Sequence, residues 1–234
     1  MIEIRLDPRR IVRRLAGVTA FLVAMGFGVQ WSRYKLGHGN LFGVFDLFNL
    51  DGEGNVPSWF ESLLFLFASA QLFLIARVKK TAGNSWASYW KGLGFVFLAL
   101  SADEIVAIHE RSIKPLRHFF HIQGGYLYYA WVILGLLFVL ALGIFYLRFF
   151  TRLPGGTRRD FAIAAALFLG GVLGVESLGG QYAALHGQDN WTYSLLAVLE
   201  ETLEMAGLLY WIRSLFSYMR LNETPGDFHL IFKP

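Results

Sequence analysis

An all-α, polytopic membrane protein with six transmembrane helices is the fold class this sequence predicts, and three observations lead there. Of 234 residues, 55% are hydrophobic and 16% charged, with 22 Phe and a mean hydropathy of +0.46. The apolar runs reach the roughly 20 residues a bilayer-crossing helix needs, and they are too many for a soluble core of this size. Lys and Arg gather at alternating ends of those runs, which is how topology is encoded.

The elements follow in order. A basic segment over 1–11 leads into a first span at about 12–33, preceded by Arg9, Arg10, Arg13 and Arg14. It imitates a signal peptide, but Gln30, Trp31, Ser32 and Arg33 follow the run instead of a small-residue cleavage pattern, so it is read as a retained span. An external loop over 34–57 is rich in Gly, Asn and acid, including Gly37, Gly39, Asn40, Asp46, Asn49 and Asp51. Asp51, Glu53 and Asn55 alternate around Gly52 and Gly54, an acidic turn that lacks the twelve-residue pattern of a calcium loop. Pro57 and Ser58 open the second span, about 58–77, with Glu61 read as the capping-box acid. Further spans are expected at about 86–110, 126–148, 160–185 and 193–215. In the fifth, Ala166, Gly170, Gly174 and Ser177 form a small-residue seam for close helix packing. A tail over 216–234, with Pro225 and Gly226, extends from the last span, and the whole of 1–234 is read as one domain.

With the N-terminus inside, sixteen Lys and Arg lie on the inner side (among them Arg5, Arg77, Lys79, Lys80, Arg148, Arg213 and Lys233). Five lie outside: Arg33, Lys35, Arg111, Lys114 and Arg117. This bias predicts both termini in the cytoplasm. Aromatic residues at the expected ends, such as Trp31, Trp59, Trp191, Trp90 and Trp211, read as headgroup anchors. The net charge of +4 is spent on topology, which argues against a nucleic-acid partner. The chain has no Cys, which excludes disulfides, thiolate ligands and thiol nucleophiles.

Six acids lie within these apolar helices: Asp103, Glu104, Glu176, Glu200, Glu201 and Glu204. At roughly 2.5–3.5 kcal/mol each, six uncompensated carboxylates oppose insertion by about 15–20 kcal/mol, so protons, metal ions or water must neutralise them. At 1.5 Å per residue, Asp103, Glu176, Glu200 and Glu201 fall about 10–14 Å below the outer ends of three different helices. Glu200 and Glu204, four apart, share a face and are expected to chelate one ion together. Asp103 and Glu110, seven apart, are expected to line a path outward. His109 and His186 stand near the outer ends of the third and fifth spans.

The run Ser101-Ala102-Asp103-Glu104 through His109-Glu110, the segment Leu50-Asp51 through Asn55-Val56-Pro57-Ser58-Trp59-Phe60, and the Glu200, Glu201, Glu204 helix together resemble a set of uncharacterised bacterial six-span membrane proteins. The resemblance covers most of the chain and implies the bacterial cytoplasmic (inner) membrane, but no activity. Zinc-dependent intramembrane hydrolases of the alkaline ceramidase type also mix Ser, Asp and His in helices, whereas this chain offers at most two deep His. The Glu-x-x-His spacing of membrane di-iron oxidases is missing at Glu104 and Glu201.

Three functions are compatible with this pattern. The leading expectation is an intramembrane site for a divalent metal ion (iron, zinc, manganese or calcium) held by Asp103, Glu176, Glu200 and Glu204 with His109 or His186. Glu201 and Glu104 would be the catalytic carboxylates of a metalloenzyme acting on a lipophilic molecule from the outer leaflet. The alternative is a proton or divalent-cation channel or transporter. The third is an accessory subunit of a larger membrane complex. The expected partners are membrane lipid, a lipophilic small molecule, and a homo-oligomer or larger assembly.

Overall fold

The computed structural model describes residues 2–38, 43–221 and 228–232, the terminal strands by their backbone. Gly39, Asn40, Pro225, Gly226 and Lys233 lie outside the described residues. Helix α1 (Pro8–Lys35) opens earlier than the apolar run does, because Asp7 accepts the N–H of Arg10 at 3.0 Å and Pro8 sits at the first position. After the short α2 (Val44–Phe48), α3 (Val56–Thr81) begins with a capping box. Its members are Asn55 and Ser58, not Glu61. Asn55 wins because it stands at the N-cap with its oxygen over the third helical N–H, a position Glu61 is too far along to reach.

The third expected span is broken. Helices α4 (Ala87–Val106) and α5 (Ile108–Phe119) meet at Ala107 with a bend of 78°. Helix α6 (Trp131–Arg152) follows, then α7 (Gly155–Leu169), which passes through a π-helical segment at Gly170–Val175 into α8 (Glu176–His186). The last helix, α9 (Trp191–Leu221), runs past the point where a tail was expected. Strands β1 (Ile2–Leu6) and β2 (Phe228–Phe232) pair in parallel, Ile2 opposite Phe228 and Leu6 opposite Phe232, an exception to the otherwise helical architecture.

Four helical stretches are long and apolar enough to cross a membrane, Pro8–Lys35, Val56–Thr81, Trp131–Arg152 and Gly155–His186, or five if α4 and α5 count as one bent span. Helix α9 has the length, at 31 residues, but Glu200, Glu201 and Glu204 interrupt its apolar run.

Helix α3 is the hub. Hydroxyls pin it to α4: Ser62 and Ser101 each donate to the other's carbonyl at 2.8 and 2.9 Å, and Ser69 donates to Gly94 at 2.8 Å. Such bonds satisfy side chains that apolar surroundings would otherwise strand. An aromatic cluster lies where α4, α7 and α9 meet. Trp90, 1% exposed, packs on Tyr218 with ring centroids 4.6 Å apart, and Trp211 stacks on Phe161 at 4.3 Å. Trp90 is thus buried within the bundle, and Trp211 is half-buried beside it, both adding apolar area to the packing.

Candidate functional site

The break at Ala107 creates the first part of the site. Ala107 adopts φ 54°, ψ 48°, a left-handed conformation that costs a non-Gly residue roughly 1–2 kcal/mol. Asp103 offsets that cost by capping the new helix: Oδ1 accepts the N–H groups of Ile108 at 3.0 Å and His109 at 3.2 Å. Its Oδ2 lies 2.7 Å from His109 Nδ1, and His109 Nε2 faces Glu53 Oε1 at 3.8 Å. In an unbroken helix residues six apart point in different directions, so this pairing exists because the helix is broken. Asp103 is thereby engaged as a cap and as the orienter of His109. Glu110, expected on the face of Asp103, is turned to an exposed position.

The second part comes from α7, α8 and α9. A Cβ on Gly171 would stand 2.8 Å from the Glu200 carbonyl oxygen and 2.8 Å from Glu204 Cγ, and one on Gly207 would meet the Phe168 backbone N at 2.6 Å. Glycine at both positions lets α9 approach close enough to present its acids beside α8. The contact stripe is Ala164, Gly171, Val175 and Gly179, all buried, whereas Ala166 and Gly174 of the expected seam are exposed. The wider turn of the π-helical segment shifts the residues after it around the axis, but the segment begins only at Gly170, so the exposure of Ala166 is set by the rotation of α7 itself. Glu176, the first residue beyond it, accepts the indole N–H of Trp131 at 2.8 Å and lies within hydrogen-bonding reach of Glu200. Trp131 in turn lies against the His109 ring, centroids 4.9 Å apart.

These parts line one cavity of about 500 Å³. Nine carboxylates line it among the described residues: Asp51 and Glu53 from the loop, Asp103, Glu104 and Glu110 from α4 and α5, and Glu176, Glu200, Glu201 and Glu204 from α8 and α9. The rest is apolar, with Gly135, Phe138, Val139, Leu142, Gly143 and Phe150 of α6 on one side and Phe97, Phe161 and Trp211 on the other. Seven of the eight residues singled out from sequence therefore meet here. His186 does not; it is exposed beyond the buried stripe, its ring stacked 4.4 Å from Tyr182.

Asp51 and Glu53, read from sequence as an ordinary acidic turn, and Glu61, read as a cap, were not assigned to the site. Glu61 is 1% exposed, and neither of its oxygens meets a hydrogen-bond donor among the described residues. The carboxyls of Glu104 and Glu201 stand beside it instead. Its placement one turn inside an otherwise apolar helix was the available signal. Glu53 Oε2 is also buried without a donor.

In the loop, the surrounding protein partly desolvates the two acids at the cavity mouth. That desolvation pushes the Asp51 carboxyl up to about 6, partly offset by the Tyr193 hydroxyl donating to it at 2.9 Å. Desolvation likewise pushes Glu53 up to about 7, with His109 opposing the shift and Glu110 and Asp103 adding to it. A relay holds Asp51 in place: the Gln188 amide donates to Tyr129 at 2.7 Å, and the Tyr129 and Tyr193 hydroxyls are 2.6 Å apart.

Chemically, the site offers acceptors. Carboxyls in contact, Glu176 with Glu200 and Glu61 with Glu201, need a proton or a cation between them, because two anions at that separation in a low dielectric repel strongly. Among the described residues no three His, Asp or Glu side chains stand in a geometry that could hold a metal ion.

Neither the curated proteins nor the solved structures return a match to this chain. Residues 15–218, most of the chain, match a family described as Domain of unknown function (DUF8692), and the protein belongs to that family.

Proposed function

We propose that this is a six-span protein of the bacterial cytoplasmic membrane, both termini inside, whose cavity takes up a lipophilic molecule from the bilayer and holds its head against the carboxylates. The observation that carries this reading is the continuity of the cavity. Its lining follows α6 from Trp131 to Leu153, about 33 Å at 1.5 Å per residue, and its polarity changes from acidic to apolar along that length. Clefts of this volume suit a single small ligand. Phe138 lines the cavity and is 47% exposed, consistent with sideways entry past α6.

Two observations support the six-span topology. Pairing of β1 with β2 brings the two ends of the chain together, which favours an even number of crossings. Five apolar spans satisfy that parity when α9 is the sixth. The excess of Lys and Arg on the terminal side then orients both ends inward.

The reading is tested by native mass spectrometry of the intact protein released from mild detergent. A retained lipophilic molecule is expected. Gly143→Trp should abolish it, since a Cβ at Gly143 meets nothing within 4 Å and the indole would fill the cavity instead of breaking the fold. Equal retention by this variant would refute the assignment.

A divalent cation is the second reading, favoured by the donor-free carboxyl of Glu61. Rotation of Glu176, Glu200 and Glu204 toward Asp103 and His109 would build oxygen-rich ligation suited to iron, manganese, zinc or calcium. Glu201 and Glu104 would then be free to exchange protons with a substrate. Elemental analysis showing a stoichiometric metal, lost in Glu200→Ala, would establish it. Transport is less well supported, because the inner part of the cavity, at Phe97, Phe150, Phe161 and Trp211, offers no acidic or basic step.

A further inference from the structure

The charge pattern of the cavity selects among lipophilic molecules, and the selection rests on the binding reading above. Among the described lining residues there is no Lys or Arg. The one imidazole, His109, is committed to Asp103 at Nδ1 and faces Glu53 with Nε2. An anionic head would therefore enter a field of like charge with nothing to compensate it. A hydroxyl head would donate one hydrogen bond and leave the carboxyl pairs as they are. An ammonium group presents three N–H donors and no acceptor, the complement of a wall made of acceptors.

A second observation, independent of the number of acids, points the same way. Glu61 is buried to 1% exposure with two oxygens that meet no donor, and it is directed at Glu104 and Glu201, which line the cavity. Glu53 Oε2, in the wall itself, is equally without a donor. Buried acceptors of this kind are costly unless something supplies hydrogen, and a protonated amine supplies both hydrogen and charge. The apolar part of the cavity accounts for the remainder of the molecule. From Gly135 to Leu153 the α6 wall extends about 27 Å, and at Gly143 a Cβ would meet nothing within 4 Å, which leaves room along it for an extended chain.

We infer that the occupant is a long-chain primary amine, its ammonium group among Glu53, Glu176, Glu200 and Glu201 and its hydrocarbon chain along α6. The amine is recognised by charge-assisted hydrogen bonds, and its chain by burial against Phe138, Leu142 and Phe150.

The test uses the full-length protein in phosphatidylcholine nanodiscs, titrated with dodecylamine, dodecanol and dodecanoate. Binding is read by native mass spectrometry and by tryptophan fluorescence, since Trp131 and Trp211 line the cavity. Dodecylamine should bind saturably and at least tenfold more tightly than dodecanol, with dodecanoate weakest. Glu200→Gln, close in shape to the native residue, should weaken the amine at least tenfold and leave dodecanol unchanged. Glu110→Gln, an exposed substitution at the mouth that spares the packing, should weaken the amine to a smaller extent. Equal affinity for amine and alcohol would overturn the amine assignment while keeping the cavity as a lipophile site. Binding of dodecanoate that appears when Mn²⁺ is added would overturn it in favour of a metal-bridged head. Failure of all three probes to bind, with wild-type protein folded by its thermal transition, would overturn the underlying reading itself.

Discussion

Replacing Gly207 by Ala isolates the contact on which the site's assembly depends. The added Cβ would lie 2.6 Å from the Phe168 N, 2.8 Å from its Cβ and 2.9 Å from its Cα, where ordinary contact begins at 3.4 Å. The shortfall at the nearest atom is 3.4 − 2.6 = 0.8 Å, and since two of the three atoms are backbone, no side-chain rotation relieves it. Helices α7 and α9 must move apart by about that much. Overpacking of this sort costs about 2 kcal/mol, which for a chain of this size lowers Tm by roughly 4–8 °C. Glu204 lies one turn away on the same helix, so the displacement is felt at the cavity wall. The assay is thermal unfolding in detergent, followed by tryptophan fluorescence. Gly17→Ala serves as the counterpart: its Cβ meets nothing within 4 Å, so greater helix propensity should raise stability by up to about 1 kcal/mol. Two identical chemical changes should thus have opposite signs. If both variants melt with the wild type, close α7–α9 packing is not what positions the acids.

Glu61→Gln should raise Tm, by about 1–3 kcal/mol of stability, because the amide supplies N–H donors to Glu201 and removes a buried acid; it should also weaken retention of a cationic ligand. A drop in Tm would show that the native carboxyl is already compensated. The pH dependence has a definite sign. Asp51 and Glu53 titrate near 6 and 7 in the folded protein against 3.8 and 4.5 for free groups, so between those limits the folded chain holds protons that the unfolded chain has lost. The stability these two groups contribute should therefore fall as pH rises from about 4 to 7 and level off above. Combining Asp51→Asn with Glu53→Gln should flatten that part of the Tm profile, and an unaltered slope would contradict the desolvation described for the cavity mouth. Asp103→Ala removes the acceptor for the Ile108 and His109 N–H groups and should cost about 1–2 kcal/mol, with faster amide exchange at residues 108–111. Asp103→Asn should retain most of that protection, because an amide oxygen can still cap.

Legibility from sequence tracked how local each signal was. Helix starts were set by caps outside the apolar runs: Asp7 with Pro8 opens α1 ahead of the expected start at about 12, and Asn55 with Ser58 opens α3 at Val56 in place of a cap at Glu61. The break at Ala107 carried no Gly or Pro to announce it, so Asp103 and Glu110 were assigned to a shared face that does not exist. The small-residue stripe was misplaced, at Ala166 because packing sets the rotation of α7, and beyond Gly170 because a π turn cannot be distinguished from an α turn by spacing alone. Glu61 passed for a cap because capping-box spacing fits it, and its real environment depends on α4 and α9 packing around it.

Composition and the placement of Lys and Arg by themselves determined the membrane class, the approximate helix positions and the presence of acids within apolar helices, since hydropathy and charge are read along one dimension. The meeting of those acids with Asp51, Glu53 and Glu61 around a single half-apolar cavity was decided by tertiary structure. Rotation of each helix about its axis is set by its neighbours, through the Gly171 and Gly207 contacts and the kink at Ala107, and no helix carries that information in its own sequence.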